Sequence, residues 1–327
     1  MICLGVESTA HTFSCAVLKR DGDRGSILSD VRRIYRPAEG EGIHPREASR
    51  HHAGCGADVL QDSLQEANVG IDDLDIISYA AGPGLGPCLR VGAVIARSLA
   101  SYYDIPIYPV NHAVGHIELG KLLTGARNPL VLLVSGGHSM LLAFTGGRWR
   151  VFGETLDLTL GQLLDQFGRF LGFASPCGQK IEDIAETTEQ YVPLPYTVRG
   201  NDVSFSGLLS AAKKASRNGQ KAACFSLQET AFAMICEAVE RALAFTGKDE
   251  ILVVGGVAAN KRLSEMLSLV CQRHGAGFFV APPKYSGDCG SQIAWTGLLE
   301  AGVHDGAPMD STFIRQSWRL DTVDITY

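Results

Sequence analysis

The chain has 327 residues, of which 46% are hydrophobic and 20% charged, with a formal net charge of −6. At ~100–200 residues per domain this predicts about two folded domains and excludes a disordered chain. The longest apolar runs fall far short of the ~20 residues that span a bilayer, and the N-terminus lacks the pattern of a secretory signal, so a cytoplasmic, non-membrane protein is expected.

In chain order, Ile2–Val6 reads as a strand, Glu7-Ser8-Thr9 as a polar turn and Phe13–Leu18 as the returning strand. Ile76–Ala81 reads as a strand entering the glycine turn Gly82–Pro87, followed by a helix with apolar spacing over Leu89–Ala100. Asn111 is placed to cap the next helix, which carries His112 and His116 one turn apart on one face. Leu130–Val134, the turn Ser135–Ser139 and Met140–Phe144 repeat the opening hairpin. A helical stripe follows, with Leu160, Leu163, Leu164, Phe167, Phe170 and Leu171 expected to face the core. Beside it run Gly161, Asp165, Gly168 and Gly172, and the turn Ser175–Lys180 then leads to a helix carrying Glu182. Ile251–Val254, Gly255-Gly256 and a helix from about Asn260 to Val270 repeat the strand, turn and helix. The polar loop Tyr285–Cys289 precedes an apolar helix over Ile293–Leu299.

Two halves with the same order of parts predict a duplicated α/β fold of two lobes with a cleft between them. The expected lobes are 1–125, with 303–327 packing back on it, and 126–302. Gly82, Gly84 and Gly86 spell GxGxG, which matches neither the dinucleotide fingerprint nor a P-loop. The paired hairpin turns instead fit the plan of the actin, hexokinase and chaperone-ATPase superfamily (ASKHA), in which backbone amides of two hairpins hold phosphates.

Nine cysteines, an odd number with no CxxC spacing, argue against a disulfide framework or a zinc ribbon and read as small buried hydrophobes. Two basic clusters, Arg32, Arg33 and Arg36 and then Lys213, Lys214, Arg217 and Lys221, suit either a nucleic acid or a solvated face.

An i, i+4 histidine pair is a natural start for a transition-metal site, and His112 with His116 offers one. A zincin protease would carry glutamate directly after the first histidine, and Ala113 stands there. Asp288 or Cys289 could complete the site. Asp165 and Glu182 suit the two hydroxyls of a ribose. No histidine is evidently paired with Ser8, Ser135 or Ser206, so serine nucleophilic catalysis has no support.

The segments GVESTAHTFSCAV, AAGPGLGPCLRVG, NHAVGH, LVSGGHS, GETLDLTLGQLLDQFGRFLG, VSFSGLL, GGVAANKRL, GDCGSQIAWTGLLEAG and IRQSWRLDTVDITY occur in that order along the whole chain. Together they resemble the catalytic subunit of the tRNA threonylcarbamoyladenosine transferases, in its archaeal and eukaryotic KEOPS-complex form. The resemblance implies transfer of a threonylcarbamoyl group from threonylcarbamoyl-adenylate to N6 of the adenosine adjoining the anticodon, in tRNAs reading A-starting codons. It places a divalent metal, iron(II) or zinc, on His112, His116 and Asp288. It places the adenine nucleotide on Leu133, Val134, Ser135, Gly136, Gly137, Asp165, Gly178, Glu182 and Asn260. Glu7 would orient the reacting groups. The implied partners are tRNA, a small kinase and other KEOPS-type subunits, with no fused kinase domain expected in a chain that stops at Tyr327. Leu133 stands where the archaeal type carries tyrosine as a further metal ligand, and His138 where it carries asparagine; both look bacterial. Competing readings are a chaperone-like or regulatory ATPase, a non-catalytic scaffold for the kinase, and a metalloprotease, which Ala113 disfavours.

Overall fold

The computed structural model describes residues 1–327. In its first half, β1 (Ile2–Glu7), β2 (Thr12–Asp21) and β3 (Arg24–Ile34) precede α1 (Pro45–Ala67) and β4 (Ile76–Gly82). Next come α2 (Gly86–Tyr103), β5 (Ile107–Asn111), α3 (His112–Thr124), β6 (Leu130–Val134), β7 (Ser139–Thr145) and β8 (Arg148–Glu154). They are followed by α4 (Leu160–Phe170), α5 (Gly178–Ala185), the short strands β9 (Val198–Arg199) and β10 (Asp202–Val203), and α6 (Ser206–Ala215). The chain ends with α7 (Gln220–Thr246), β11 (Glu250–Val254), α8 (Lys261–His274), β12 (Gly277–Val280), α9 (Pro283–Ser286), α10 (Gly290–Glu300) and an irregular tail.

The duplication is written in the sheets. One has the strand order β3-β2-β1-β4-β5 and the other β8-β7-β6-β11-β12, five strands each. In both, three antiparallel strands lead into two parallel ones. A parallel neighbour needs a crossover, and helices supply it in each sheet. The fold class is therefore α/β with internal repetition.

The chain divides into two units, 1–36 with 43–123 and 288–327, and 37–42 with 124–287. This differs from the expected 126–302 lobe, because α10 belongs to the first unit. The reason lies in its contacts: the Gly290 amide donates to Ser14 Oγ at 2.9 Å, and Ser78 Oγ donates to the Ile293 carbonyl at 2.9 Å. The first unit buries Leu4, Val6, Phe13, Val17, Ile77 and Tyr79 as its core. The second buries Leu132, Val134, Leu163, Phe167, Phe205 and Phe232. Helix α7 is long and apolar enough to cross a membrane, yet Leu227, Phe232, Met234 and Val239 pack into the second core.

Of the stripe on α4, Leu160, Leu163, Leu164 and Phe167 are buried as expected, and Leu171 packs at the margin. Phe170 is a correction: it is 47% exposed, at the last position of the helix, with Lys213 Nζ 5.5 Å from its ring centre. Eight of the nine cysteines are buried, Cys55 is half-buried, and all are free thiols.

Asp157 joins two of the motifs singled out above. Its carboxylate accepts from the Phe205 amide at 2.8 Å, the Ser206 amide at 3.1 Å and the Ser204 hydroxyl at 2.6 Å, where α6 begins. Partial burial pushes its pKa up, but these hydrogen bonds outweigh that and hold the carboxyl well below the usual range. A depressed folded-state pKa gives stability that is present above the unfolded value of ~3.9 and lost as pH falls below it. Asp157→Ala is expected to cost about 1–2 kcal/mol, the scale of a lost helix cap, and to flatten the acid limb of stability. Denaturant titrations of both proteins at pH 7 and pH 3 check this, and an unchanged acid limb would contradict it.

Candidate functional site

Helix α3 starts where Asn111 turns its Oδ1 back onto the amides of Ala113 (3.0 Å) and Val114 (3.2 Å). That cap fixes the first turn, so His112 and His116 project from one face with ring centres 4.7 Å apart at near right angles. Gly115 lies between them because a Cβ there would come within 3.2 Å of the Gln292 carbonyl on α10. Asp288, just before α10, completes the group: its Oδ1 is 3.5 Å from His112 Nε2 and 3.3 Å from His116 Nε2. The ligand atoms of all three residues lie within 4.8 Å of one another.

Behind the cluster sits Glu7, fully buried at the end of β1. Its carboxylate accepts from the Thr9 amide at 2.7 Å and from the Thr9 hydroxyl, and lies 2.8 Å from His112 Nδ1 and 3.3 Å from Gln292 Nε2. Once the ring is neutral, as metal binding requires, the short contact to Glu7 favours a proton on Nδ1, which leaves the Nε2 lone pair free for an ion. Burial pulls the His112 pKa down, but the charges of Glu7 and Asp288 outweigh it and push the metal-free imidazole up to about 9. Burial lowers His116. Burial alone would raise Asp288, yet the two imidazoles hold it well below the carboxylate range.

The donor set fits a divalent metal. His116 Nε2 is buried without a hydrogen bond, although a carboxylate oxygen lies close by. Two imidazoles and a carboxylate converging in this way are the chemistry of a three-ligand site, which keeps positions open for substrate. The sequence had not pointed to Thr9 or Gln292. Only their place in two matched motifs, ESTAHT and GDCGSQ, could have done so.

The second unit holds the residues expected at a nucleotide. Leu133 and Val134 are buried in β6, so their side chains serve the core and only backbone groups are offered. The turn Ser135–His138 is closed by the Ser135 amide on the His138 carbonyl (2.8 Å), and Ser135 Oγ accepts from the Gly137 and His138 amides. Asp165 Oδ1 accepts from the Cys177 amide at 2.6 Å. Glu182, buried, accepts from the Lys261 amide at 2.8 Å, and burial raises its pKa. Asn260 caps α8 through the Leu263 amide (3.0 Å) and donates to Gln228 Oε1 at 3.1 Å. Gly178 opens α5 beside free space: a Cβ there would meet nothing nearer than Leu164 Cδ1 at 3.8 Å. The glycine stripe on α4 has a simpler cause than a ligand at two places. A Cβ on Gly161 would meet the Ser135 carbonyl at 2.6 Å, and one on Gly168 the Cys177 Cβ at 2.3 Å.

The two basic clusters differ. Arg32 pairs with Asp30 at 2.8 Å and Arg33 with Asp62 at 2.9 Å, whereas Lys213, Lys214, Arg217 and Lys221 have no carboxylate partner.

A family model for TsaD, the tRNA N6-adenosine threonylcarbamoyltransferase, matches residues 26–295. Proteins of that name from Staphylothermus marinus and Caldivirga maquilingensis are 48% and 45% identical, over 99% and 100% of this chain and 99% and 98% of theirs. A protein from Methanosphaera stadtmanae, named as a probable bifunctional tRNA threonylcarbamoyladenosine biosynthesis protein, is 44% identical, and the chain covers 61% of it. In fold, the chain is similar to HypF of T. kodakarensis, with a TM-score of 0.64 at 13% identity over 91% of this chain and 47% of that one. It is also similar to the activator of 2-hydroxyisocaproyl-CoA dehydratase from Clostridium difficile, with a TM-score of 0.56 at 12% identity over 92% and 96%. A match of this extent settles kinship: the chain is an enzyme of the TsaD family of tRNA N6-adenosine threonylcarbamoyltransferases.

Proposed function

We propose that the chain transfers a threonylcarbamoyl group from threonylcarbamoyl-adenylate to N6 of the adenosine adjoining the anticodon, in tRNAs reading A-starting codons. It would act as the catalytic subunit of a KEOPS-type assembly that includes a small kinase. The observation that carries this reading is the convergence of His112, His116 and Asp288 in a member of this family.

In the reaction the adenosine N6 attacks the carbamoyl carbon, the bond to the AMP oxygen breaks, AMP leaves with the electron pair and N6 loses a proton. AMP is already a good leaving group. The catalyst therefore has to position a weak amine and stabilise charge on oxygen. One divalent ion, iron(II) or zinc, would be held by His112, His116 and Asp288, and when bound it supplies that charge stabilisation. Glu7 acts as a positioning residue through His112, since four donors already engage its buried carboxylate.

The Ser135–Gly137 turn would meet the nucleotide phosphate. Asp165 and Glu182 would hold ribose hydroxyls with the carboxylate oxygens that their backbone amides leave over. Because Asp165 also anchors the Cys177 amide, Asp165→Ala is expected to lower the thermal midpoint as well as affinity. Asp165→Asn can keep that amide bonded through its carbonyl oxygen. It should hold the midpoint and weaken adenine-nucleotide binding by about 1–3 kcal/mol. Calorimetric titration with ATP and AMP checks both variants; unchanged affinity would leave Asp165 as a loop anchor only.

The unpaired cluster on α6 and α7 is our candidate for tRNA phosphate contacts. Changing Lys213, Lys214 and Lys221 together to glutamate should weaken tRNA binding and reduce the slope of log K against log salt by ~0.7–0.9 for each phosphate no longer neutralised. Binding titrations at several salt concentrations decide it, and an unaltered slope would make the cluster a solvated face. The activity itself is tested by incubating the chain with threonylcarbamoyl-adenylate and unmodified tRNA, with and without partner subunits, and analysing the nucleosides. Absence of modified adenosine in the full assembly would overturn the proposal.

A further inference from the structure

In the first unit, the end of α10 and the C-terminal tail line a cavity of about 480 Å³, within the ~300–1,000 Å³ of small-molecule sites. Glu300, His304, Arg315, Trp318, Thr326 and Tyr327 are among its lining residues. Two buried groups among them have no partner, and a third, the exposed Arg315, has no carboxylate against it. The Glu300 carboxyl makes neither an ion pair nor a side-chain hydrogen bond, and burial pushes its pKa up to about 8. The Tyr327 hydroxyl is buried and bonded to nothing. The Arg315 guanidinium lies over the Trp318 ring, 4.5 Å from its centre, with no carboxylate against it. His304, by contrast, is engaged, with Nε2 2.6 Å from Thr326 Oγ1.

A carboxyl held away from water without a partner is costly, and here Glu300 shares one cavity with Arg315 without pairing to it, while Asp324, the second carboxylate in the lining, is engaged with a partner of its own. Arg315 would repel a simple cation, and Glu300 offers nothing to a simple anion once ionised. A molecule carrying both charges answers both groups. We propose that this cavity binds a small zwitterion of the amino-acid class, its ammonium on Glu300 and the Tyr327 hydroxyl and its carboxylate on Arg315. Stacking on the indole holds the guanidinium as a flat fork suited to a carboxylate. As the ammonium seats, Glu300 gives its proton to solvent. The proposal concerns a second site and stands apart from the transfer reaction.

The experiment titrates the full chain calorimetrically at pH 7 with glycine, β-alanine, 4-aminobutyrate and 6-aminohexanoate, whose charge separations increase stepwise. Butylamine and butyrate serve as single-charge controls. One member of the series is expected to saturate at one molecule per chain, with a measured heat that depends on the ionisation enthalpy of the buffer. Glu300→Gln and Arg315→Gln should each weaken it at least tenfold. Glu300→Gln should fold, since the amide replaces a carboxyl that burial keeps largely protonated at this pH; its thermal midpoint serves as the control. The proposal is overturned if no member saturates, if either variant binds as tightly as wild type, or if butylamine or butyrate binds as tightly as the zwitterion.

Discussion

His112→Ala is expected to leave metal content below about a tenth of wild type and to lower transfer at least ~100-fold, while the fold survives. His112 supplies one of only three converging donors, and His116 and Asp288 alone cannot hold an ion with two protein bonds at neutral pH. The change also removes a partner of the buried Glu7 carboxylate, so a stability loss of about 1–3 kcal/mol should accompany it. Gln292 and Thr9 still reach Glu7, which is why the loss stops short of unfolding. Elemental analysis of the purified variant, with circular dichroism to confirm the fold, checks the expectation. Wild-type metal content in the variant would remove His112 from the site.

A subtler change should come from Glu7→Gln. Every group that faces this carboxylate is a donor: the Thr9 amide and hydroxyl, His112 Nδ1 and Gln292 Nε2. An amide in its place must turn an NH2 toward one of them. The relief open to His112 is to move its proton from Nδ1 to Nε2, the atom that must present a lone pair to the metal. Outer carboxylate partners of ligating histidines are worth ~10–100-fold in metal affinity. Glu7→Gln should lose affinity on that scale in a chelator competition, with kcat falling while nucleotide and tRNA affinities hold. Unchanged metal affinity with lost activity would instead put Glu7 in contact with the reacting groups.

How much of this was legible in the sequence varies with the physics. The histidine pair was, because helical spacing and an asparagine cap are local properties that a chain segment declares by itself. So was the duplication, because each half repeats hairpin, strand, glycine turn and helix in order. The loop offered both Asp288 and Cys289, and the choice of Asp288 came only from family resemblance, since nothing local joins a loop at 288 to a helix at 112. The same gap hid α10's place in the first unit. Its backbone meets hydroxyls of the sheet, the Gly290 amide on Ser14 of β2 and the Ile293 carbonyl on Ser78 of β4, and such contacts leave no periodic signal. Phe170 was misplaced because a periodic stripe does not say where the core stops. Asp165, Glu182 and Asn260 were read as ligand-binding side chains, and each also holds a backbone amide of its own unit. A carboxylate beside a glycine turn looks the same in sequence whichever task it performs.

The central claim is that His112, His116 and Asp288 support threonylcarbamoyl transfer to tRNA adenosine. It is tested most directly by a single-turnover assay comparing wild type with Asp288→Asn, whose side chain is similar in size but cannot supply the charge. Both proteins, with the same partner subunits, receive threonylcarbamoyl-adenylate and unmodified tRNA, and the nucleosides are separated and weighed by mass spectrometry. Wild type should yield adenosine carrying the added threonylcarbamoyl mass at the position adjoining the anticodon. Asp288→Asn should yield at most ~1% as much while still binding tRNA and adenine nucleotide. Equal product from the two proteins would contradict the claim.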